Sequence, residues 1–316
     1  MKVKTLFRLQ PIFWSIIIFI LAQGFTFLII PHEDVFLAKN NLSLPTQPPE
    51  AITIWPGTIT SPSGEVTQTP AVSSLGPILI YFFAVIVVLG IVLFSIPISA
   101  LKTVFKIIFA FLFCWSLFVI SILWLPLAVS IPIAVGIAAM WFFNPRVWLH
   151  SLVMLGAMVA LGEVFGRLIS PWTAMILLSV LAIYDFLAVR FGFMLWMAKK
   201  LSLSTTLPAF IIPYRQSDWA ANLKKSDIPT LMEEKADERK YSILGGGDIG
   251  FPVLLAASVY FSRGVRDGII VAVFALVGLI GAYWIQATSQ KGKAVPALPP
   301  IAVMSAIGLA LVSFIL

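Results

Sequence analysis

Two aspartates lie within stretches of sequence that are otherwise almost entirely apolar. Asp185 falls within residues 182–187, and Asp248 directly follows three consecutive glycines at 245–247. A carboxylate in hydrocarbon costs roughly 2.5–3.5 kcal/mol on insertion scales, so it marks function by default and should have a partner. Glycines lack side chains, which lets another backbone or a substrate approach Asp248 closely. They also weaken a helix by about 1 kcal/mol each relative to alanine.

A pair of such carboxylates could hydrolyse peptide bonds. Two close carboxylates in a medium of low dielectric constant cannot both be ionised, so they share one proton. The charged member can take a proton from water while the neutral member polarises a carbonyl, which requires no covalent intermediate. Spacing alone leaves other roles open, because the aspartates could carry protons or only join two helices.

The composition is that of an integral membrane protein. Of the 316 residues, 60% are hydrophobic and 11% are charged, whereas a soluble domain has roughly 25% charged residues. The apolar segments are too long and continuous for the strands of a membrane barrel. With one cysteine there is no disulfide framework and no cysteine-based metal site, and His32 and His150 lie far apart in sequence. We therefore expect no metal or other cofactor.

The apolar segments predict an all-α polytopic membrane protein with about nine transmembrane helices. Each segment approaches the ~20 residues that cross a bilayer as a helix. The division between residues 125 and 126 is the weakest. The predicted segments are 12–30, 78–100, 105–125, 126–143, 147–165, 171–189, 242–261, 268–288 and 297–316.

These segments divide the chain into three regions. Residues 1–189 carry the first six helices and include a polar loop at 31–77. Residues 190–241 form a second polar loop, and residues 242–316 carry the last three helices. Within the first loop, the alternation at 52–60 around a Pro-Gly pair predicts a short hairpin.

The basic residues predict the orientation. If the N-terminus is cytoplasmic, only Lys39, Arg167, Arg263 and Arg266 lie outside, and all other lysines and arginines face the cytoplasm. We therefore predict a multi-pass protein of the cell membrane with a cytoplasmic N-terminus, an extracellular C-terminus and an extracellular loop at 31–77. This asymmetry accounts for the net charge of +7, so we expect no nucleic acid partner.

The predicted topology places both aspartates at a similar depth. The sixth segment descends to the cytoplasm and ends near Arg190, which puts Asp185 about 7 Å inside the membrane at 1.5 Å per residue. The seventh segment rises from the cytoplasm and puts Asp248 about 10 Å inside. Two carboxylates at one depth on successive antiparallel helices favour a dyad. Glu163, another intramembrane acid, precedes Arg167 by four residues, which favours a local ion pair.

A proline-rich stretch at 294–300 opens the last helix at the level of both aspartates. Prolines are common at helix entrances, and they also leave backbone groups free for a neighbour.

Three short motifs together resemble the signatures of the presenilin and signal peptide peptidase family of intramembrane aspartyl proteases. They are Tyr184-Asp185, Gly245-Gly246-Gly247-Asp248 (the GxGD motif) and Pro296-Ala297-Leu298 (the PAL motif). Their order matches the family, as does their placement on the sixth, seventh and ninth spans. The resemblance covers the whole nine-helix layout. Within the family, the chain resembles the archaeal presenilin homologues.

The resemblance implies an intramembrane aspartic endopeptidase that cuts within the transmembrane helices of membrane proteins. It implies that Asp185 and Asp248 are catalytic and activate water. The substrate-binding residues that it implies are Tyr184, Gly245, Gly247, Pro296, Ala297 and Leu298. It implies single-span membrane proteins or signal-peptide-like segments as substrates, the lipid bilayer as the medium and no obligatory partner subunits. Gly246 replaces a larger residue of many relatives, and the 190–241 loop is too short to suggest self-cleavage.

Two other classes of protein remain as alternatives. A channel or transporter would use the two aspartates as a proton or cation relay. The sequence shows no internal repeat of the kind that many transporters have, which counts against this class. An assembly scaffold would need neither aspartate.

A helical substrate must unwind before it can be cut, and each freed amide in hydrocarbon costs several kcal/mol unless it finds a new partner. The segment 207–213 is apolar but broken by prolines, and 239–243 leads into the glycine run. We predict that one or both extend as strands and pair with the unwound substrate, with Val295 on the other side. An ordinary interfacial loop is the alternative.

Overall fold

The computed structural model describes residues 2–42, 57–60, 66–69, 74–95, 97–192, 207–223, 240–288 and 295–315. This part of the chain contains nine α-helices, two two-stranded antiparallel sheets and one 3₁₀-helix at Gln216–Ala220. The helices are α1 Lys2–Lys39, α2 Leu75–Ser95, α3 Ile98–Ser121, α4 Leu127–Phe143, α5 Val147–Leu168, α6 Pro171–Arg190, α7 Gly246–Arg263, α8 Val265–Thr288 and α9 Leu298–Phe314. The strands are β1 Gly57–Thr60, β2 Val66–Thr69, β3 Ala209–Pro213 and β4 Tyr241–Gly245.

The helices confirm the prediction of an all-α multi-pass membrane protein. By length and composition, α1, α2, α3, α5, α6 and α8 could each cross a membrane. Two further helices, α4 and α9, are apolar and 17 residues long. Many large hydrophobic side chains face outward, as expected where the surrounding medium is lipid rather than water.

Prolines set two of the helix boundaries. The predicted segment 78–100 is not one helix, because α2 ends at Ser95 and α3 begins after Pro97. A proline disfavours the helical conformation of the residue before it, and at the start of a helix its missing N–H costs nothing. Pro126 caps α4 in the same way and confirms the predicted division at 125/126. The first helix extends beyond the predicted 12–30 at both ends.

The predicted start of the seventh helix at residue 242 is wrong. Residues 241–245 form β4, and α7 begins only at Gly246. β4 pairs with β3 in a register that places Ala209 opposite Gly245 and Ile211 opposite Ile243. Residues 242–245 therefore belong to a pair of strands rather than to a helix. The extended conformation predicted for 207–213 and 239–243 is confirmed for the residues within the two strands.

The predicted hairpin in the first loop has a different partner strand. β1 includes Gly57, which was predicted for the turn, and pairs with β2 so that Gly57 lies opposite Thr69. Residues 52–55, the predicted partner, lie outside the described residues. The sequence between the two strands, 61–65, is rich in turn-forming residues.

The helix α5 lies at the centre of the bundle and packs closely against α7. A Cβ added at Gly162 would lie 2.5 Å from Cγ1 of Val253, and one at Gly166 would lie 3.0 Å from the backbone N of Ser258. Small residues let membrane helices approach at backbone distance, where van der Waals packing replaces the missing hydrophobic drive. This contact fixes α7, which carries Asp248, against α5.

Contacts at one end of the bundle join α1, α5 and the segment after β3. Trp14 of α1 packs edge to face on Trp219 of the 3₁₀-helix, with ring centroids 5.3 Å apart. The N–H of Val147, at the start of α5, donates to the carbonyl of Ala221 across 3.1 Å. The start of α5 and the N-terminal part of α1 therefore lie at the same end as the 3₁₀-helix.

The opposite ends of α1 and α5 meet through Arg167. Its Nη2 lies 2.7 Å from Oε2 of Glu33 and 2.7 Å from Oδ1 of Asp34. The predicted pair with Glu163 is present at 4.0 Å, but the short contacts of Arg167 go to α1. Since both ends of the two helices meet in this order, α1 and α5 run parallel, as the first and fifth of alternating spans should.

Candidate active site

Asp185 lies near the end of α6 and contacts the start of the last helix. It is 9% exposed, and its Oδ2 accepts a hydrogen bond from the N–H of Leu298 across 3.3 Å. Leu298 is the first residue of α9, where backbone N–H groups have no partner within the helix. The carboxylate satisfies one of them at the positive end of the helix dipole, which stabilises its negative charge.

Asp248 is the third residue of α7, and Gly245 is its N-cap. Its carboxylate lies in the first turn of the helix, where the helix dipole stabilises a negative charge. A Cβ added at Gly245 would lie 3.0 Å from Oδ2 of Asp248. The sequence predicted that the glycines at 245–247 let another backbone or a substrate approach Asp248. In the structure, a side chain at Gly245 would crowd the Asp248 carboxylate.

Helices α6, α7 and α9 pack together behind the two aspartates. Leu181 of α6, Leu255 of α7 and Ala302 of α9 belong to one buried apolar cluster. The two carboxylates are close enough to interact electrostatically. The site thus draws an acidic residue and a helix N-terminus from α7, an acidic residue from α6 and a helix N-terminus from α9.

The other predicted site residues lie at the same end of these helices. Tyr184 adjoins Asp185 on α6 and is partly buried. Pro296 and Ala297 precede α9 and are partly buried. A Cβ at Gly247 would lie 3.3 Å from the ring of Phe251.

Gly246 is held by packing that the sequence did not predict. Its N–H donates to the carbonyl of Pro208 across 3.0 Å. A Cβ at this position would collide with Cε of Met154 on α5 and lie 3.0 Å from the Pro208 oxygen. Since Met154 and the β3 backbone fill the space, the small residue at the variable position of the motif has a structural reason. No local signal could reveal it, because both neighbours are remote in sequence.

β4 leads directly into α7, the helix that carries Asp248, and one edge of this strand faces away from β3. The bonds from Gly246 N to Pro208 O and from Tyr214 N to Lys240 O identify the hydrogen-bonded pairs of the sheet. In an antiparallel pair these alternate with pairs whose N–H and C=O groups point away from the partner. Ile243 belongs to the second kind, lies opposite Ile211 and is 37% exposed. Within the described residues β4 pairs only with β3.

The outward edge of β3 is occupied by α5. The carbonyl of Ala209 lies 3.0 Å from Nε2 of His150, and the carbonyl of Ile211 accepts from the hydroxyl of Ser151 across 3.2 Å. His32, the other histidine, contacts Trp124 at the opposite end of the bundle, with ring centroids 5.1 Å apart. Among the described residues, no cluster of three or more His, Cys, Asp or Glu side chains could hold a metal ion.

Comparisons with known proteins agree with this arrangement. A family model described as signal-peptide peptidase, presenilin aspartyl protease matches residues 60–316. The fold is similar to that of a presenilin family intramembrane aspartate protease solved in C222 and P2 space groups, with TM-scores of 0.58 and 0.56. Each structure is 16% identical in sequence, and each alignment covers 95% of this chain and 98% of the other. No curated protein matches the sequence.

Proposed function

Because the chain belongs to the signal-peptide peptidase and presenilin family of aspartyl proteases, we propose that it hydrolyses peptide bonds within the transmembrane helices of membrane-protein substrates. Family membership confirms the prediction of an aspartic endopeptidase. The observation that supports the finer proposal is that two aspartates lie at two helix N-termini, Asp185 at that of α9 and Asp248 at that of α7. Within this proposal both residues are catalytic.

The two carboxylates hold one proton between them and act on a water molecule. The ionised carboxylate removes a proton from water as the oxygen attacks the substrate carbonyl carbon, and the protonated carboxyl donates to the carbonyl oxygen. A tetrahedral diol results. Its collapse breaks the C–N bond, the leaving nitrogen gains a proton from the dyad, and the products are a carboxylic acid and an amine. The N–H of Leu298 holds the Asp185 carboxylate in place during these transfers.

The substrate is opened by pairing with the outward edge of β4. Unwinding frees amide groups that water cannot solvate in hydrocarbon, so a new backbone partner is required. The outward N–H and C=O of Ile243 provide one by β-augmentation, two residues before Gly245. The β3 edge is closed to this role by His150 and Ser151. Val295, which precedes the PAL motif, lies close enough in sequence to Leu298 to pair from the other side.

The remaining motif residues bind and shape the substrate. Gly245 and Gly247 keep the space beside Asp248 free of side chains, and Tyr184 flanks Asp185. Pro296, Ala297 and Leu298 form the entry to α9, whose backbone reaches Asp185. The substrates are single-span membrane proteins or signal-peptide-like segments in the bilayer, and no partner subunit is required. The proposed setting is the cell membrane, with a cytoplasmic N-terminus and an extracellular C-terminus.

Incubation of the purified protein in detergent with a single-span substrate, followed by mass spectrometry of the products, tests this function. We expect two fragments whose masses add to that of the substrate plus one water, with the cut inside the span. A parallel measurement of proton and cation flux in sealed vesicles tests the relay alternative. Flux without cleavage would replace the protease by a channel or transporter.

A further inference from the structure

A buried histidine and a buried tryptophan form a hydrogen-bonded pair between α4 and α5. His150 is 0% exposed, and its Nδ1 accepts a hydrogen bond from Nε1 of Trp141 across 3.2 Å. An indole N–H can only donate, so Nδ1 of His150 is an acceptor and its proton is on Nε2. Nε2 therefore donates to the carbonyl of Ala209, 3.0 Å away. The tryptophan thus fixes the tautomer that the β3 carbonyl requires.

Aromatic rings pack around the imidazole. The ring of Phe113 lies edge to face against Trp141, with centroids 4.8 Å apart, and 6.2 Å from the His150 centroid. The indole lies nearly parallel to the imidazole at 6.1 Å. All three side chains are buried. The Nε2–H of His150 is therefore a buried donor that is directed at the carbonyl of Ala209.

The bonded carbonyl lies directly across the sheet from the active-site glycines. Ala209 is opposite Gly245, and the preceding residue, Pro208, accepts the N–H of Gly246 across 3.0 Å. Gly245 in turn adjoins the carboxylate of Asp248, since a Cβ added at the glycine would lie 3.0 Å from Oδ2. A continuous series of contacts therefore runs from Trp141 through His150 and β3 to the glycines and the aspartate.

The face of α5 that carries His150 also packs against the start of α7. Met154 and Met158 follow His150 at intervals of four residues, so the three side chains share one face of the helix. A Cβ at Gly246 would meet Met154, and one at Gly250 would lie 2.7 Å from Sδ of Met158. His150 provides the polar, directional part of this contact, and the methionines provide the apolar part.

We propose that His150, held in one tautomer by Trp141, is a positioning residue for Asp248 and acts through β3 and the glycine run. This inference rests on the proposed function, since the quantity positioned is a catalytic carboxylate. Without the His150 donor, the buried carbonyl of Ala209 has no partner and β3 shifts to find one. A displacement of about 1 Å at a catalytic group can cost about 100-fold in rate, so the effect appears in kcat.

The proposal is tested by two replacements of His150, one that can donate a hydrogen bond to Ala209 and one that cannot. In His150→Gln the side-chain amide can reach Ala209 and donate, whereas His150→Phe keeps the ring volume without a donor. We expect kcat to fall by about 10- to 100-fold in His150→Phe with little change in KM, and to recover most of the loss in His150→Gln. Ser151→Ala is the matched control. It leaves the carbonyl of Ile211 without its hydroxyl donor, and Ile211 lies opposite Ile243 rather than opposite Gly245. We therefore expect it to lower kcat less than His150→Phe does.

A double-mutant cycle tests the role of Trp141. Trp141→Phe removes the indole N–H, keeps an aromatic ring and releases the histidine tautomer. If Trp141 acts through His150, this change lowers kcat in the wild-type background and not in the His150→Phe background. Equal losses in both backgrounds would show that Trp141 serves packing alone and would overturn its part in the proposal.

Hydrogen exchange of the 241–247 segment provides a readout that does not depend on proteolysis. We expect faster amide exchange at Gly246 in His150→Phe and exchange like the wild type in His150→Gln. Wild-type exchange and kcat in His150→Phe, or equal defects in both variants, would overturn the positioning role. If His150→Phe does not fold, His150→Asn replaces it, since its shorter amide cannot reach Ala209. Absence of cleavage by the wild-type protein would refute the proposed function, and cleavage that persists in Asp248→Ala would refute the catalytic role of Asp248. In either case the exchange result would still decide whether His150 holds the glycine run in place.

Discussion

The backbone N–H of Leu298 donates a hydrogen bond to Oδ2 of Asp185 across 3.3 Å, although 113 positions separate the two residues in the chain. This bond makes the start of α9 part of the environment of the α6 carboxylate. The ionised form of a buried carboxylate is strongly destabilised when it loses a hydrogen-bond donor. A shift of α9 would therefore also move Asp185 or favour its protonated form. Leu298 therefore has a structural role at Asp185.

Replacement of either aspartate should abolish proteolysis while the fold is retained. Asp185→Ala and Asp248→Ala each remove one of the two groups that we propose transfer protons, and such groups typically contribute about 10²- to 10⁴-fold in rate. Cleavage of a single-span substrate by purified protein, followed by mass spectrometry, measures the loss. Asp267→Ala, at the start of α8, is the matched control and should retain activity. Substantial cleavage by Asp248→Ala would remove this mechanism from consideration.

Gly245→Ala should lower activity much more than stability. The backbone of Gly245 has φ −57°, which alanine adopts without strain, but the new Cβ would lie 3.0 Å from Oδ2 of Asp248. The carboxylate must move, and we expect kcat to fall by about 10- to 100-fold. Gly281→Ala in α8 is the control, because no atom lies within 4 Å of its added Cβ. It should keep full activity and gain up to about 1 kcal/mol from helix propensity. Equal activity of the two variants would contradict the contact with Asp248.

Proline at residue 243 should block helical substrates selectively. The N–H of Ile243 points away from β3, so Ile243→Pro removes a donor from the outward edge and keeps the β3–β4 pairing. We expect cleavage of a helical substrate to fall at least about 10-fold, and that of a glycine-rich, pre-unwound substrate to fall less.

Two variants separate this effect from other causes. Ile243→Ala keeps the N–H and should retain activity on both substrates, which controls for the loss of the side chain. Ser242→Pro removes an N–H that faces Ile212 within the sheet, so it should lower thermal stability and impair both substrates alike. An unchanged ratio of the two substrates in Ile243→Pro would count against strand pairing as the opening step.

Thiol labelling should establish which end of the bundle faces the cytoplasm. In a Cys114→Ala background, Ser217→Cys lies on the 3₁₀-helix at the Trp14 end, and Asn40→Cys lies just beyond the opposite end of α1. Both positions are exposed. The basic-residue asymmetry predicts that a membrane-impermeant reagent labels Asn40→Cys in intact cells and reaches Ser217→Cys only after permeabilisation. The reverse labelling would invert the topology while leaving the antiparallel arrangement of α6 and α7 unchanged.

The sequence by itself determined the helical membrane fold and the identity of the two aspartates as candidates. Long apolar segments and prolines at their starts are local signals, because the hydrocarbon thickness and the missing proline N–H act on each segment separately. An acid such as Asp248 inside such a segment is equally visible, since its cost in hydrocarbon depends on its own charge. The boundary at Pro126 and the extended conformation of residues 209–213 followed from signals of the same kind.

Only the tertiary structure decided how the backbone around the site is held. The sequence of residues 242–245 is compatible with either a helix or a strand. Their pairing with β3, about 30 residues earlier, decided between the two. Arg167 contacts Glu33 of α1 more closely than Glu163, and His150 donates to the carbonyl of Ala209. Each buried polar group needs a partner, but the chain supplies it from a remote segment. The physical reason is that the need for a partner is encoded locally, whereas the choice of partner depends on which helices pack together.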